Sequence, residues 1–230
     1  MKISFIASRY KESENVDDII KCVNHFFYNH ECKIIIYDKF NIKPNTYKFV
    51  PNVGREAYAW FDYVLTTWDN PDDYYVFIHP CNQSERPDKF FKFVNLCENT
   101  LKMINSNEEF CCTSNIHMLN VSSLYCRKYK HIGNTLANVE DVKKQKFNTT
   151  SYENIGAWWN ARTGGLKLLP RAPVHGICSA SKNNIQSWGK EFWVSIFNDI
   201  LDSGENGEIP HFLERAMISI AAGKKTIQNL

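Results

Sequence analysis

The sequence that decides the fold is PNVGREAYAW at residues 51–60, followed by YYVFIH at residues 74–79. A turn-forming Asn-x-Gly leads into the apolar spacing of an amphipathic helix, and the second segment has the composition of a short buried strand. In open α/β sheets, ligands bind where strands end and helices begin. The free N–H groups at a helix start favour an anion, so this order predicts a binding site.

The residues predicted for this site are Asn52, Gly54, Arg55, Glu56 and His79. Arg55 has a planar guanidinium that suits phosphate or carboxylate. The alternative is an ordinary glycine turn, a solvated Arg-Glu pair and a histidine that ends a strand. Each feature alone favours that alternative, whereas their combination favours a site.

Apolar periodicity places strand and helix patterns in alternation along the chain. Strand patterns occur at residues 3–7, 33–37, 74–78, 110–113 and 174–179, and helix patterns occur at residues 16–29, 57–68, from 87 onward, 190–201 and 210–222. Such alternation predicts an α/β fold in which a mostly parallel mixed sheet is flanked by helices. We expect a single domain over residues 1–230. Within it, the polar stretch near 136–152 is either a mobile loop over a cleft or a solvated connector.

The composition is that of an ordinary globular protein, with 43% hydrophobic and 23% charged residues. The formal net charge of +2 is too small for a protein that binds nucleic acid through its electrostatic field. The eight cysteines lie mostly inside apolar patterns and form no C-x-x-C pair, which argues against a zinc site. No apolar run approaches the ~20 residues that a membrane span needs, and no signal-peptide pattern begins the chain. We therefore expect a cytoplasmic protein with free thiols and no membrane span.

Small and charged side chains end the first two strand patterns. Ala7 and Ser8 are small enough to let a ligand approach the backbone, and Arg9 suits a nucleotide phosphate or base. Asp38 follows the second strand, where acidic residues often accept hydrogen bonds from a nucleoside. The alternatives are a surface arginine after an edge turn and an aspartate that caps a turn.

His211 and Glu214 are three residues apart in the last helix pattern, so they share one helix face. A carboxylate beside a histidine can bind a metal or act as a general base on a hydroxyl. The alternative is an exposed helix in which Glu214 has a nearby salt-bridge partner.

Several short motifs occur together: SRYKE at residues 8–12, NVGREA at 52–57, VFIH at 76–79, CSASKNNI at 178–185 and LER at 213–215. In this combination they resemble a domain-of-unknown-function family of fungi and large DNA viruses that is marked by N-x-G-R-E-A and a following F-x-H strand. The arrangement is also similar to small viral glycosyltransferases of the GT-A type, such as those that decorate chlorella-virus capsids. The resemblance implies a GT-A-like fold with a nucleotide-binding half at residues 1–105 and an acceptor-side half at residues 106–230.

The chain departs from the GT-A pattern where a typical member has Asp-x-Asp to hold a divalent metal against the diphosphate. Here the corresponding strand ends in HPCN at residues 79–82. One explanation is a manganese or magnesium site formed by His79, His211 and Glu214. The other is that Arg9, Arg55 and a helix N-terminus neutralise the diphosphate without a metal.

The resemblance implies a hexosyl- or pentosyltransferase that moves a sugar from a nucleotide diphosphate donor to a glycan or glycoprotein acceptor. Displacement at the anomeric carbon needs a stabilised leaving diphosphate and, if the configuration inverts, a base. Glu214 is the first candidate for that base, followed by Glu56 and His79.

Two other functions stay open. One is a nucleotide- or carbohydrate-binding module without catalysis. The other is a hydrolase of phosphate or glycosidic esters that acts through His79 and a carboxylate. The expected location is the cytoplasm, which would be the host cytoplasm if the protein is viral. Whether the protein forms a homodimer also stays open.

Overall fold

A central mixed sheet positions the predicted site. The computed structural model describes residues 1–9, 16–39, 46–79, 84, 87–113, 118–120, 150–152, 154–169, 171–173, 177–204 and 207–229. The strands are β1 (Lys2–Arg9), β2 (Glu31–Asp38), β3 (Thr46–Phe49), β4 (Tyr74–Phe77), β5 (Phe110–Cys112), β6 (Met118–Asn120), β7 (Arg171–Pro173) and β8 (Cys178–Ser181). The helices are α1 (Asp17–Phe26), α2 (Arg55–Thr66), α3 (Pro87–Asn105), α4 (Ile155–Thr163), α5 (Lys182–Gln186), α6 (Lys190–Ser203), α7 (Ile209–Ala222) and α8 (Lys224–Gln228).

The six-stranded sheet has the strand order β3-β2-β1-β4-β8-β5, while β6 and β7 form a separate pair. β1 pairs in parallel with β2 and β4, and β2 pairs in parallel with β3. β8 is antiparallel to both of its neighbours, β4 and β5. The chain leaves β1 toward β2 and later crosses to its other side to form β4. The carboxyl ends of β1 and β4 therefore border a topological switch point, where ligands bind in open α/β sheets.

Helices cover both faces of the sheet. Successive residues along a strand lie in two different apolar layers, one on each face. Ile6 and Phe77 belong to the layer that includes Trp60 of α2. Phe5 and Val76 belong to the opposite layer, with side chains of α1 and α3. Because successive strand residues point to opposite faces, the two layers also determine which side chains at a strand end meet α2.

The structure confirms the predicted α/β class with a helix-flanked mixed sheet. The predicted helix at residues 57–68 begins earlier, at Arg55, and the predicted strand at 174–179 is observed as Cys178–Ser181, with residues 174–176 outside the described part of the chain. The stretch at residues 136–149 also lies outside the described residues. The sequence patterns missed β3, whose side chains are mostly exposed, and α4, whose apolar residues lie on more than one face.

The described part of the chain has no helix long and apolar enough to cross a membrane. The six cysteines that it contains are all free, as predicted, while Cys81 and Cys126 lie outside it.

Close packing at the start of α2 gives a first prediction. Gly54 has a φ of +69°, and a Cβ there would lie 2.1 Å from Cγ2 of Ile200 in α6. Gly54→Ala adds a left-handed alanine, at ~1–2 kcal/mol, and an overpacked contact, at ~1–3 kcal/mol. We expect denaturant unfolding to show a loss of stability of ~2–5 kcal/mol.

Gly164→Ala is the matched control, because Gly164 has a φ of +68° and no described residue lies within 4 Å of its Cβ position. This variant should lose only the ~1–2 kcal/mol of stability that a left-handed alanine costs. Equal losses in the two variants would mean that Ile200 does not constrain the start of α2.

Candidate functional site

The predicted site residues of the first half of the chain meet at the carboxyl edge of the parallel strands. Arg9 ends β1, Asp38 ends β2, and His79 follows β4 by two residues. Helix α2 starts at this edge with Arg55 and runs back along the sheet, where it contacts β1. The switch point of the fold therefore carries most of the residues that the sequence singled out.

Arg9 and Asp38 form a buried ion pair. Nε and Nη2 of Arg9 donate to Oδ2 of Asp38 at 3.0 and 2.6 Å, and Nη2 also donates to Oγ1 of Thr46 at 3.1 Å. The two residues are 5% and 1% exposed and stand opposite each other in the β1–β2 register. The pair connects the ends of β1 and β2. The expected contacts of Arg9 with phosphate and of Asp38 with a nucleoside stay predictions.

Ala7, Ser8 and Asn52 occupy different surroundings. Ala7 and Ser8 are fully buried at the end of β1, and Ala7 packs into the layer of α1 and α3. Ser8 faces the other side, and its Oγ has no hydrogen-bond partner among the described residues. Asn52 is exposed in the segment before α2.

The turn before α2 has an unusual backbone. Gly54 and Arg55 both have positive φ values, +69° and +51°, and arginine rarely adopts this conformation. Within the part of the chain that the structure describes, no side chain caps the helix start. Nζ of Lys39 donates to the carbonyl oxygens of Val53 and Arg55 at 2.5 and 2.8 Å. Sequence reasoning missed Lys39, although a basic residue directly after the Asp38 strand end was a visible signal.

Arg55 connects α2 to α7. Its Nη1 donates to Oε1 of Glu214 at 3.0 Å and lies 3.2 Å from Nδ1 of His211. Burial, together with the positive charges of Arg55 and Arg215, lowers the pKa of His211 to about 3. His211 is therefore neutral near pH 7, and its Nδ1 accepts from Arg55. The helix face that carries His211 and Glu214 therefore contacts Arg55, the arginine that the sequence predicts to bind an anion.

Glu56 and His79 form a second contact, between α2 and the segment that follows β4. Nδ1 of His79 lies 2.7 Å from Oε1 of Glu56, and the two side chains are 6% and 9% exposed. Burial alone would raise the pKa of Glu56, but His79 and Arg55 hold it well below its usual range. Trp60 packs edge-on against the His79 ring, with a centroid distance of 5.9 Å. Glu56 is therefore a carboxylate that orients His79.

The proposed metal ligands do not fit a metal in this arrangement. Within the described residues, no group of three or more His, Cys, Asp or Glu side chains is placed to hold a metal ion. His79 is bonded to Glu56, and His211 and Glu214 both contact the guanidinium of Arg55, whose charge opposes a nearby cation.

One described cavity borders the candidate site, and another lies away from it. A cavity of about 10 Å³ lies beside His79 and is also lined by Lys89 and Lys92. A groove of about 850 Å³ is lined by Glu109, Asn183 and other residues at the amino edge of the parallel strands. That groove contains none of the predicted site residues. The charged side chains of the candidate site converge at the switch point and not in this groove.

Comparison with known proteins does not assign a family to the chain. The chain matches no protein-family model, no curated protein and no solved structure.

The buried neutral state of His211 predicts an acid-sensitive fold. A pKa lowered to about 3 in the folded protein, against an unfolded value of 6.5, means that the unfolded chain binds more protons in that window. Stability should therefore fall as the pH drops from about 6.5 toward 3, with a His211 contribution that approaches about 1.4 kcal/mol per pH unit. Denaturant unfolding of wild type and His211→Gln at several pH values measures this contribution.

The exposed His25 of α1 supplies the control variant, His25→Gln. It should keep the wild-type slope of stability against pH, whereas His211→Gln should flatten it. The same slope in all three proteins would contradict a buried neutral His211.

Proposed function

We propose that this protein is a GT-A-like glycosyltransferase, which moves a sugar from a nucleotide diphosphate donor to a glycan or glycoprotein acceptor. The proposal rests mainly on Arg55, a guanidinium that is 42% exposed in the first turn of α2 and contacts the carboxylate of Glu214. The parallel order β3-β2-β1-β4 supports it, because nucleotide-binding sheets of this order place the ligand at the β1–β4 switch point. The motif resemblance agrees with the same placement.

Arg55 supplies the electrostatic part of the proposed reaction. When the anomeric carbon–oxygen bond breaks, its electron pair leaves with the diphosphate, whose added charge must be stabilised. The α2 N-terminus and the fork of Arg55 provide donors and positive charge at one place. No step of the proposed reaction uses a metal.

Glu214 is the base that the geometry favours. Its Oε1 accepts from Arg55, while its Oε2 lies 3.8 Å from Nη1 of Arg215 and 4.0 Å from Nδ1 of His211, both beyond hydrogen-bond distance. In an inverting reaction, Oε2 takes the proton of the acceptor hydroxyl as that oxygen attacks the anomeric carbon. Glu56 is a weaker candidate because it is buried, bonded to His79 and has a lowered pKa.

The Glu56–His79 contact favours a second function. A carboxylate that orients a histidine is the arrangement that general-base hydrolases use, so hydrolysis of phosphate or glycosidic esters is the alternative. It predicts cleavage of simple phosphoesters or glycosides without a nucleotide donor.

A panel of nucleotide sugars separates the functions. The protein is incubated with each donor in manganese, in magnesium and in excess chelator, and released nucleotide is measured. Slow nucleotide release supports the transferase, and equal release in chelator supports a metal-free diphosphate site. Binding without turnover supports a binding module. Cleavage of donor-free esters supports the hydrolase.

Arg55→Ala should weaken nucleotide diphosphate binding by at least about tenfold. Each charge-assisted hydrogen bond contributes ~1.5–3 kcal/mol, and the variant removes the guanidinium that forms them. Arg55→Lys should restore the affinity only in part, because a point charge cannot form the bidentate contact. Calorimetric titration measures all three affinities.

Arg162→Ala is the control, since Arg162 of α4 forms a similar partly exposed ion pair with Asp199. It should leave nucleotide affinity unchanged. Normal binding by Arg55→Ala would place the nucleotide elsewhere and remove the main support for this function.

Glu214→Gln should slow sugar transfer by ~10²–10⁴-fold, the usual effect of a lost general base. Donor affinity should stay the same or rise. In the variant, Arg55 does not have to break an ion pair with a carboxylate in order to bind the diphosphate. Transfer rate, donor affinity and melting temperature are measured on one preparation. A destabilised variant that transfers sugar at the wild-type rate would assign Glu214 to structure and move the search to Glu56 and His79.

A further inference from the structure

Lys39 is a buried cation whose contacts converge on the site. It follows the last residue of β2 and is only 6% exposed. Its backbone N–H donates to the carbonyl of Arg9 at 3.1 Å, which fixes it to the end of β1. Its Nζ reaches across to the turn before α2 and lies 5.7 Å from the centre of the Tyr58 ring. A lysine buried to this degree needs close partners, since an unpaired ammonium loses its hydration.

The two carbonyl groups that hold Lys39 define the conformation of the turn. They belong to Val53 and Arg55, one on each side of Gly54. In a planar trans peptide the C=O and N–H groups point in opposite directions, so each carbonyl that Lys39 binds also sets the direction of the next amide. The amide of Gly54 accordingly points away from Lys39 and donates to the carbonyl of Gly204 at 3.4 Å.

The turn that Lys39 binds carries one candidate functional side chain and leads into a second. Arg55 is held in the left-handed conformation, with a φ of +51°, and its guanidinium reaches Glu214 and His211. The peptide after it leads into Glu56, whose own backbone N–H helps to keep its carboxylate ionised. Loss of the Lys39 contacts would release a backbone conformation that arginine rarely adopts.

We infer that Lys39 is a positioning residue, which holds the turn at residues 53–55 so that the Arg55 guanidinium faces the bound diphosphate. The inference rests on the proposed function, because the diphosphate is the ligand that Arg55 is proposed to bind. Lys39 acts through Arg55, so its effect on anion binding disappears when Arg55 is absent.

A double-mutant cycle with inorganic pyrophosphate as the probe tests this role. Pyrophosphate affinity and melting temperature are measured for wild type, Lys39→Met, Arg55→Ala and the double variant at one ionic strength. Lys39→Met alone should weaken pyrophosphate binding by at least about fivefold. The double variant should bind no more weakly than Arg55→Ala, within about twofold, because coupled residues are not additive.

Lys33→Met is the matched control. Lys33 lies on the same strand β2 and pairs with Asp72 at 3.0 Å near the other edge of the sheet. This variant loses a lysine and an ion pair but should keep the wild-type pyrophosphate affinity. A purely structural role of Lys39 would lower the melting temperature and leave the affinity at the Lys33→Met value.

Lys39→Arg keeps the test decisive if Lys39→Met does not fold. It retains a cation, but a guanidinium presents its donors in a different geometry to the two carbonyls. We expect pyrophosphate affinity between those of wild type and Arg55→Ala. Wild-type affinity in this variant would overturn the positioning role.

The outcomes distinguish this inference from the proposed function. Wild-type affinity in Lys39→Met, or an additive loss in the double variant, overturns the role of Lys39 and leaves the Arg55 anion site intact. Failure of the wild-type protein to bind pyrophosphate removes the proposed anion site and, with it, this inference.

Discussion

Helix α2 starts from two consecutive left-handed residues, Gly54 and Arg55, and Gly54 can lie there only because it has no side chain to meet Ile200. This close approach fixes α2 against α6 and places the first turn of α2 at the carboxyl edge of the sheet. The position of Arg55 follows from that placement, because the residue after Gly54 begins the helix. A steric constraint in the core therefore determines where the main cation of the site lies.

Side-chain pairs then hold the start of α2 at this edge. Arg55 pairs with Glu214 of α7, 159 residues later, and Glu56 pairs with His79, two residues after the end of β4. The helix start is therefore held from two sides. Burial makes the second pair the more rigid, since both of its side chains are less than one-tenth exposed.

Local patterns were enough to predict the elements with a clear apolar period or a continuous apolar run. The period of α2 and the apolar runs of β1 and β4 identified the edge where Arg9, Arg55 and His79 lie. They could not predict α4, where the adjacent Trp158 and Trp159 are both fully buried.

The contacts between site residues were also beyond local patterns. In the structure Arg9 pairs with Asp38, since the parallel register places the two strand ends side by side, and its contact with a ligand stays a prediction. Lys39 is visible as a basic residue directly after a strand end, but its partners are backbone carbonyls of a turn, so the sequence does not show what it contacts.

The Arg55–Glu214 ion pair is weak enough for a ligand to replace it. With Arg55 42% exposed, the pair resembles surface salt bridges that contribute only ~0–1 kcal/mol. A charge-assisted hydrogen bond to a phosphate oxygen contributes ~1.5–3 kcal/mol, so a diphosphate can draw Arg55 away from Glu214 at little cost. That exchange would break the hydrogen bond between Arg55 and Oε1 of Glu214 as the donor arrives, so that the carboxylate is no longer held by the guanidinium. In the proposed transferase, the interaction that stabilises the free protein thus also makes the base dependent on the presence of the donor.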